Sequence, residues 1–230
     1  MPKHIGIVGC SAEGAALCYK SICIDSAEIM GTHAHPEISM HTLSLSDYVA
    51  CLDRSDIKGV RELMLQSAHR LAACGAEFLI CPDNTIHQAM DYVRPRSPLP
   101  WLHIAEIVAQ EAASKGYKCP GITGTQWLVE SDVYPTALKA QSLHYHCPPL
   151  ADRQAMGAII MNELVYGQFR AESINAFVEI IDRLKGAGAD AVILGCTEIP
   201  LIINNENSPL PVLDSTRLLA KAAMRHSILG

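Results

Sequence analysis

The chain has 230 residues, a formal net charge of −6 and 49% hydrophobic residues. That apolar content excludes a disordered chain and suffices for one large core or two smaller ones. The acidic balance and the lack of a Lys/Arg cluster argue against a nucleic-acid or membrane-surface partner. No window approaches 18 apolar residues, and the N-terminus lacks the long apolar run and cleavage site of a signal peptide. The nine cysteines are odd in number and have no paired spacing. A reducing, cytoplasmic setting is therefore expected.

Taken in chain order, strands are expected at 5–8, 38–43, 78–81, 121–123, 143–146 and 191–194. Several are apolar nearly throughout, as parallel strands covered on both faces should be. Helices are expected over 55–74, 151–166, 171–185 and 215–226. In the first of these, Ile57, Val60, Met64, Ala68 and Leu71 recur at three- and four-residue spacing. Ser55 or Asp56 is its expected N-cap. Strands alternating with helices predict an α/β fold with mainly parallel sheets and right-handed crossovers. The Pro-rich stretch 94–100 reads as a hinge or domain connection.

An internal repeat organises the chain. Gly75-Ala76-Glu77-Phe78-Leu79-Ile80-Cys81-Pro82-Asp83 aligns with Gly188-Ala189-Asp190-Ala191-Val192-Ile193-Leu194-Gly195-Cys196 at an offset of 113. Arg70-Leu71 falls on Arg183-Leu184 at the same offset, and Gly6-Ile7-Val8-Gly9 on Gly121-Ile122-Thr123-Gly124 at 115. Two similar α/β halves of roughly 113 residues follow, and the domains are expected at residues 1–97 with 211–230 and at 98–210. Pseudo-twofold symmetry would set the strand tips on opposite walls of one cleft, with Asp83 in the place of Cys196. Such a pair suits inversion at a carbon, one group taking a proton from one face while the other returns one to the opposite face. Asn84, Thr85, Thr125 and Thr197 follow strands at expected helix starts, where N–H groups converge to bind a carboxylate. Ser11 joins them as a weaker candidate.

The segments Asp83-Asn84-Thr85-Ile86-His87, Gly121-Ile122-Thr123-Gly124-Thr125 and Gly195-Cys196-Thr197-Glu198-Ile199-Pro200 resemble the three signatures of the aspartate/glutamate racemase superfamily. The resemblance spans essentially the whole chain, with Tyr134 ten residues after Gly124. Glu198 is similar to the aspartate-racemase branch, since cell-wall glutamate racemases usually have His there. The resemblance implies two pseudo-twofold-related α/β domains with the active site between them. It implies a racemase independent of pyridoxal phosphate, metal or any other cofactor, acting on a small amino acid and commonly dimeric. It also implies two catalytic cysteines, of which the first is Asp83 here.

Asp83 and Cys196 are thus the expected catalytic pair. Ser11, Asn84, Thr85, Thr125, Thr197 and Glu198 are the expected substrate contacts, and His103 an auxiliary group. A carboxylate at position 83 is a good base and a poor proton donor, so the two directions of transfer are expected to differ. Cys81, two residues earlier, reads as strand core. His33, His35 and His41 lack a matching Cys or Asp set and are not read as a metal site. Arg54 and Arg170 are candidates, by type alone, for a distal substrate carboxylate. Two other readings stay open: a single-cysteine decarboxylase or cis-trans isomerase of the same superfamily, and a non-catalytic amino-acid-binding protein on a degenerate fold.

Overall fold

The computed structural model describes residues Met1–Gly230. It is an α/β fold with two parallel three-stranded sheets. The chain divides into two compact units, Met1–Ile104 with Thr216–Gly230, and Ala105–Ser215. These crossings, at 104/105 and 215/216, lie seven and five residues after the expected 97/98 and 210/211. Strand pairing accounts for the difference. Trp101 bridges Leu79 in parallel, so the first sheet continues past the proline stretch. Val212–Asp214 pairs with Val192–Leu194, so the chain stays in the second sheet until 214.

The first unit contains β1 (Ile5–Gly9), α1 (Ala12–Asp25), α2 (Ala27–Met30), β2 (Ile38–Thr42), α3 (Leu45–Asp53), α4 (Ile57–Ala73), β3 (Phe78–Ile80) and α5 (Met90–Val93). β1 is central, with β2 on one side and β3 on the other. β1 and β3 are buried along their whole length, whereas the edge strand β2 is partly exposed. The stretch 94–100 is not a free connection: Arg94–Arg96 forms a 3-10 turn, and Leu79 N–H donates to Pro100 O at 2.8 Å.

The second unit contains α6 (Ile104–Ser114, starting at the boundary), β4 (Gly121–Thr123), α7 (Gln126–Val129), α8 (Val133–Ala140), α9 (Leu150–Asn162), α10 (Ala171–Gly186), β5 (Val192–Leu194) and β6 (Val212–Asp214). The final helix, α11 (Ser215–Leu229), belongs to the first unit from Thr216 onward. β5 is central, between β4 and β6. The strand expected at 143–146 shrinks to a single parallel bridge, His146 to Gly121. The helix expected over 151–166 ends at Asn162; a 3-10 turn follows, closed by Gly167 in the left-handed conformation. No helix is long and apolar enough to cross a membrane.

The repeat extends to the turns. α4 buries Val60, Met64, Ala68 and Leu71 on one face, and α10 buries Phe177, Ile180, Ile181 and Leu184. Each large apolar side chain among them contributes about 1.5–3 kcal/mol on burial. Asp56 caps α4, its carboxylate accepting from Gly59 N–H at 2.8 Å, while Ser55 sits before it at φ +55°. Both helices stop at a positive-φ glycine, Gly75 and Gly188. The next N–H turns back in each case, Ala76 to Leu71 O at 3.1 Å and Ala189 to Leu184 O at 3.0 Å. Glu77 then accepts from His4 N–H at 2.7 Å, and Asp190 from Cys119 N–H at 3.1 Å. Each acid ties its strand to the start of the neighbouring one.

Both sheets also have the same switch point. In the first, the chain leaves β1 for β2 on one side while β3 lies on the other. In the second, β4 bridges His146 on one side and pairs with β5 on the other. Open parallel sheets bind ligands outside the carboxyl ends of the strands at such points. The loops that meet there are 10–11 with 81–85, and 124–125 with 195–198.

Candidate active site

In the first unit, Ser11 follows β1 as the N-cap of α1, its hydroxyl accepting from Gly14 N–H at 3.3 Å. Asp83 follows β3, half-buried, and its Oδ1 accepts from Ile86 N–H at 3.1 Å. Asp83 is therefore a cap for the 3-10 turn Thr85–Ala89, and the same carboxylate stands at the strand end. Asn84 and Thr85 are buried beside it.

Behind these loops sit Cys81, Tyr48, His87 and His103. Cys81 is fully buried, and burial together with the nearby Asp83 carboxylate pushes its thiol well above the ordinary range. Tyr48, also fully buried, has its phenol pushed up by burial and by Cys10, Cys81 and Asp83. His87 Nε2 bonds Cys81 O at 3.2 Å; a carbonyl only accepts, so Nε2 carries the proton. The His87 ring packs edge-on against His103, centroids 4.4 Å apart. Burial, aided by Arg94, lowers His103 to about 4, which leaves it neutral at pH 7. The two imidazoles buttress the Asp83 loop from within.

In the second unit, the loops after β4 and β5 run backbone against backbone. Gly195 N–H donates to Thr123 O at 3.0 Å. A Cβ on Gly124 would lie 3.0 Å from Gly195 O, and a Cβ on Gly195 would strike Thr123 O. Glycine is required at both places by this close approach. Thr123 anchors its strand by donating to Ile193 O at 2.7 Å. Thr125 caps α7, accepting from Leu128 N–H at 3.2 Å. The ring of Tyr134 on α8 lies under Gly195, and its buried phenol bonds Ser215.

Cys196 is 8% exposed, and its Sγ donates to Glu198 Oε2 at 2.9 Å. Thr197 Oγ1 donates to the same oxygen at 3.2 Å. Glu198 is only 2% exposed, and its Oε1 is buried without a hydrogen-bond partner. A thiol–carboxylate contact two residues apart is not foreseen in the sequence, which marks Glu198 as a substrate contact or a group that holds the loop. The one available signal is an acid in an otherwise apolar, buried segment.

Of the remaining candidates, Arg170, His35 and His41 have partners of their own. Arg170 pairs with Glu163 at 3.5 Å and donates to Gln168. Arg54 lines an open groove of about 560 Å³ with Asp47, Cys51 and Glu62. His35 bonds Pro36 O, and His41 lies between Ser67 and Arg70 at 3.0 and 2.8 Å. His33, His35 and His41 do not converge on a common centre, and no group of three or more His, Cys, Asp or Glu does so anywhere in the chain.

A family model for Asp/Glu/hydantoin racemases matches residues 7–223. The chain is 25% identical to the broad specificity amino-acid racemase RacX of Bacillus subtilis (strain 168) over 169 residues, 72% of this chain and 71% of that protein. A candidate Asp/Glu racemase from Yersinia pestis has the same fold with a TM-score of 0.88 and 28% identity, over 98% of this chain and 99% of that one. An aspartate racemase homologue from Pyrococcus horikoshii OT3 gives 0.83 and 25%, over 99% of both chains.

Proposed function

The chain belongs to the Asp/Glu/hydantoin racemase family, and from that premise we propose that it is an aspartate/glutamate-type amino-acid racemase using Asp83 and Cys196 as its two proton-transfer groups. The observation that carries this reading is the Cys196 loop: a thiol at a sheet's switch point, hydrogen-bonded to a buried carboxylate. Both groups then act on opposite faces of one Cα. Asp83 takes the α-proton as general base, and Cys196 delivers a proton to the other face. Each step is of a kind worth about 10²–10⁴ in rate.

Asn84, Thr85 and Thr125, with their helix-start N–H groups, receive the substrate carboxylate, with Ser11 completing the set. They also stabilise the enolate-like charge that develops as the proton leaves. Thr197 is taken up by Glu198, and the open Oε1 of Glu198 takes the α-ammonium. His103 acts through His87 to hold the loop. The reaction runs on the chain's own groups, without pyridoxal phosphate or metal.

The loops 9–15, 81–88, 123–129 and 195–201 contain no Lys or Arg. Neutral amino acids therefore belong in the test beside Asp and Glu, as the broad specificity of the Bacillus relative also suggests. The test is chirally resolved product analysis with both enantiomers of each, for wild type and Cys196→Ala. Inversion that disappears in Cys196→Ala supports the proposal. Carbon dioxide release from a substituted malonate would replace it with decarboxylation. Thermal stabilisation by an amino acid without turnover would replace it with binding.

A further inference from the structure

Glu198 Oε2 accepts from both Cys196 Sγ and Thr197 Oγ1, and the carboxylate is almost fully buried. Removing the Cys196 proton would place a thiolate 2.9 Å from a carboxylate oxygen with little water to screen the two charges. In the same unit the Tyr134 phenol on α8 lies under Gly195, and Asp214 on β6 raises that phenol.

We infer that Glu198, which offers Oε1 to the substrate, uses Oε2 to hold Cys196 as a thiol, so that the resting enzyme is set in one direction, with the base at Asp83 and the proton donor at Cys196. The inference rests on the racemase reading above. One enantiomer presents its α-proton to the Asp83 carboxylate. The C–H bond breaks, Asp83 gains the proton, and the Cys196 S–H proton passes to the opposite face of the carbanion. The enzyme is left with a carboxylic acid at 83 and a thiolate beside Glu198. Loss of the Asp83 proton to water and uptake of one by Cys196 restore the starting form. The opposite enantiomer uses the less populated form and returns the enzyme to the resting one.

The two enantiomers have equal free energy, so kcat/KM is equal in both directions at every pH. The bias therefore appears in kcat and KM separately. With proton exchange of the free enzyme fast compared with turnover, the enantiomer served by the resting form has the lower KM and, by the same factor, the lower kcat.

The test has a readout independent of turnover. The chain is labelled with [¹³Cβ]cysteine, the Cys196 resonance is assigned from Cys196→Ser, and its titration is followed in wild type, Glu198→Gln and Glu198→Asp. The expected wild-type midpoint lies above the ordinary cysteine value of about 8.5. Glu198→Gln should lower it by about one pH unit or more, and Glu198→Asp, which retracts the charge, by less. The ratio of the two KM values should narrow about tenfold for each pH unit by which the midpoint falls. A midpoint that stays put or rises in both variants overturns the inference, even if the chain racemises amino acids. A midpoint that falls in a chain that inverts nothing overturns the racemase reading and leaves the thiol–carboxylate coupling in place.

Discussion

Asp83 can be only a helix cap, or it can be a cap and a base, and one substitution separates the two. Asn is as good an N-cap as Asp, so Asp83→Asn keeps an acceptor for Ile86 N–H at 3.1 Å. Its stability should stay within about 0.5 kcal/mol of wild type. The amide cannot accept a proton from carbon, so turnover should fall about 10²–10⁴-fold, equivalent to about 2.7–5.5 kcal/mol in the barrier. Asp83→Ala should lose the base and the cap together. The cap is worth about 1 kcal/mol, or about 2–4 °C in melting temperature for a chain of this size. The assays are chiral chromatography of initial product and thermal melting of both variants. An Asn variant within tenfold of wild-type turnover refutes a base at Asp83. So would losses in both variants that simply follow their melting temperatures.

Cys81→Ala should retain full turnover, because the thiol is fully buried and held protonated; the cost is about 1 kcal/mol in a denaturant melt. His103 binds a proton near pH 4 in the folded chain and near 6.5 when unfolded, so between these values the unfolded chain holds more protons. Stability is then fully present above about pH 6.5 and falls toward pH 4 by up to about 3 kcal/mol, and His103→Gln should flatten that part of the pH–stability curve. Gly195→Ala should cost about 1–3 kcal/mol and lower turnover, since the new methyl meets the Thr123 carbonyl and the Tyr134 ring. A melting temperature unchanged from wild type would count against the close approach of the two loops.

The repeat is the most legible feature of the sequence. Its 113-residue offset anticipates matched helices, matched left-handed glycines and strand ends with Asp83 and Cys196 in equivalent places. The turns are local: a Gly-Ala turn that closes an amphipathic helix needs φ > 0 wherever it occurs. Equivalent residues nevertheless take different partners. Arg183 forms a two-pronged pair with Asp152 at 2.7 and 2.9 Å, whereas its counterpart Arg70 bonds His41. The short strand β6 and the Trp101 bridge are not legible in the sequence, because one to three residues next to prolines show no periodicity.

The sequence by itself determined the α/β class, the doubled plan and the residue types at each strand end, since hydrophobic period and glycine placement act over a few neighbours. Tertiary structure alone decided what those residues touch. It gave Arg170 to Glu163, turned His103 against His87 inside the first unit, and put the Cys196 thiol on the Glu198 carboxylate. Such contacts depend on how loops fold back in a buried, low-dielectric setting, where a displacement of about one ångström decides whether a thiol meets a carboxylate or water. Spacing along the chain does not contain that information.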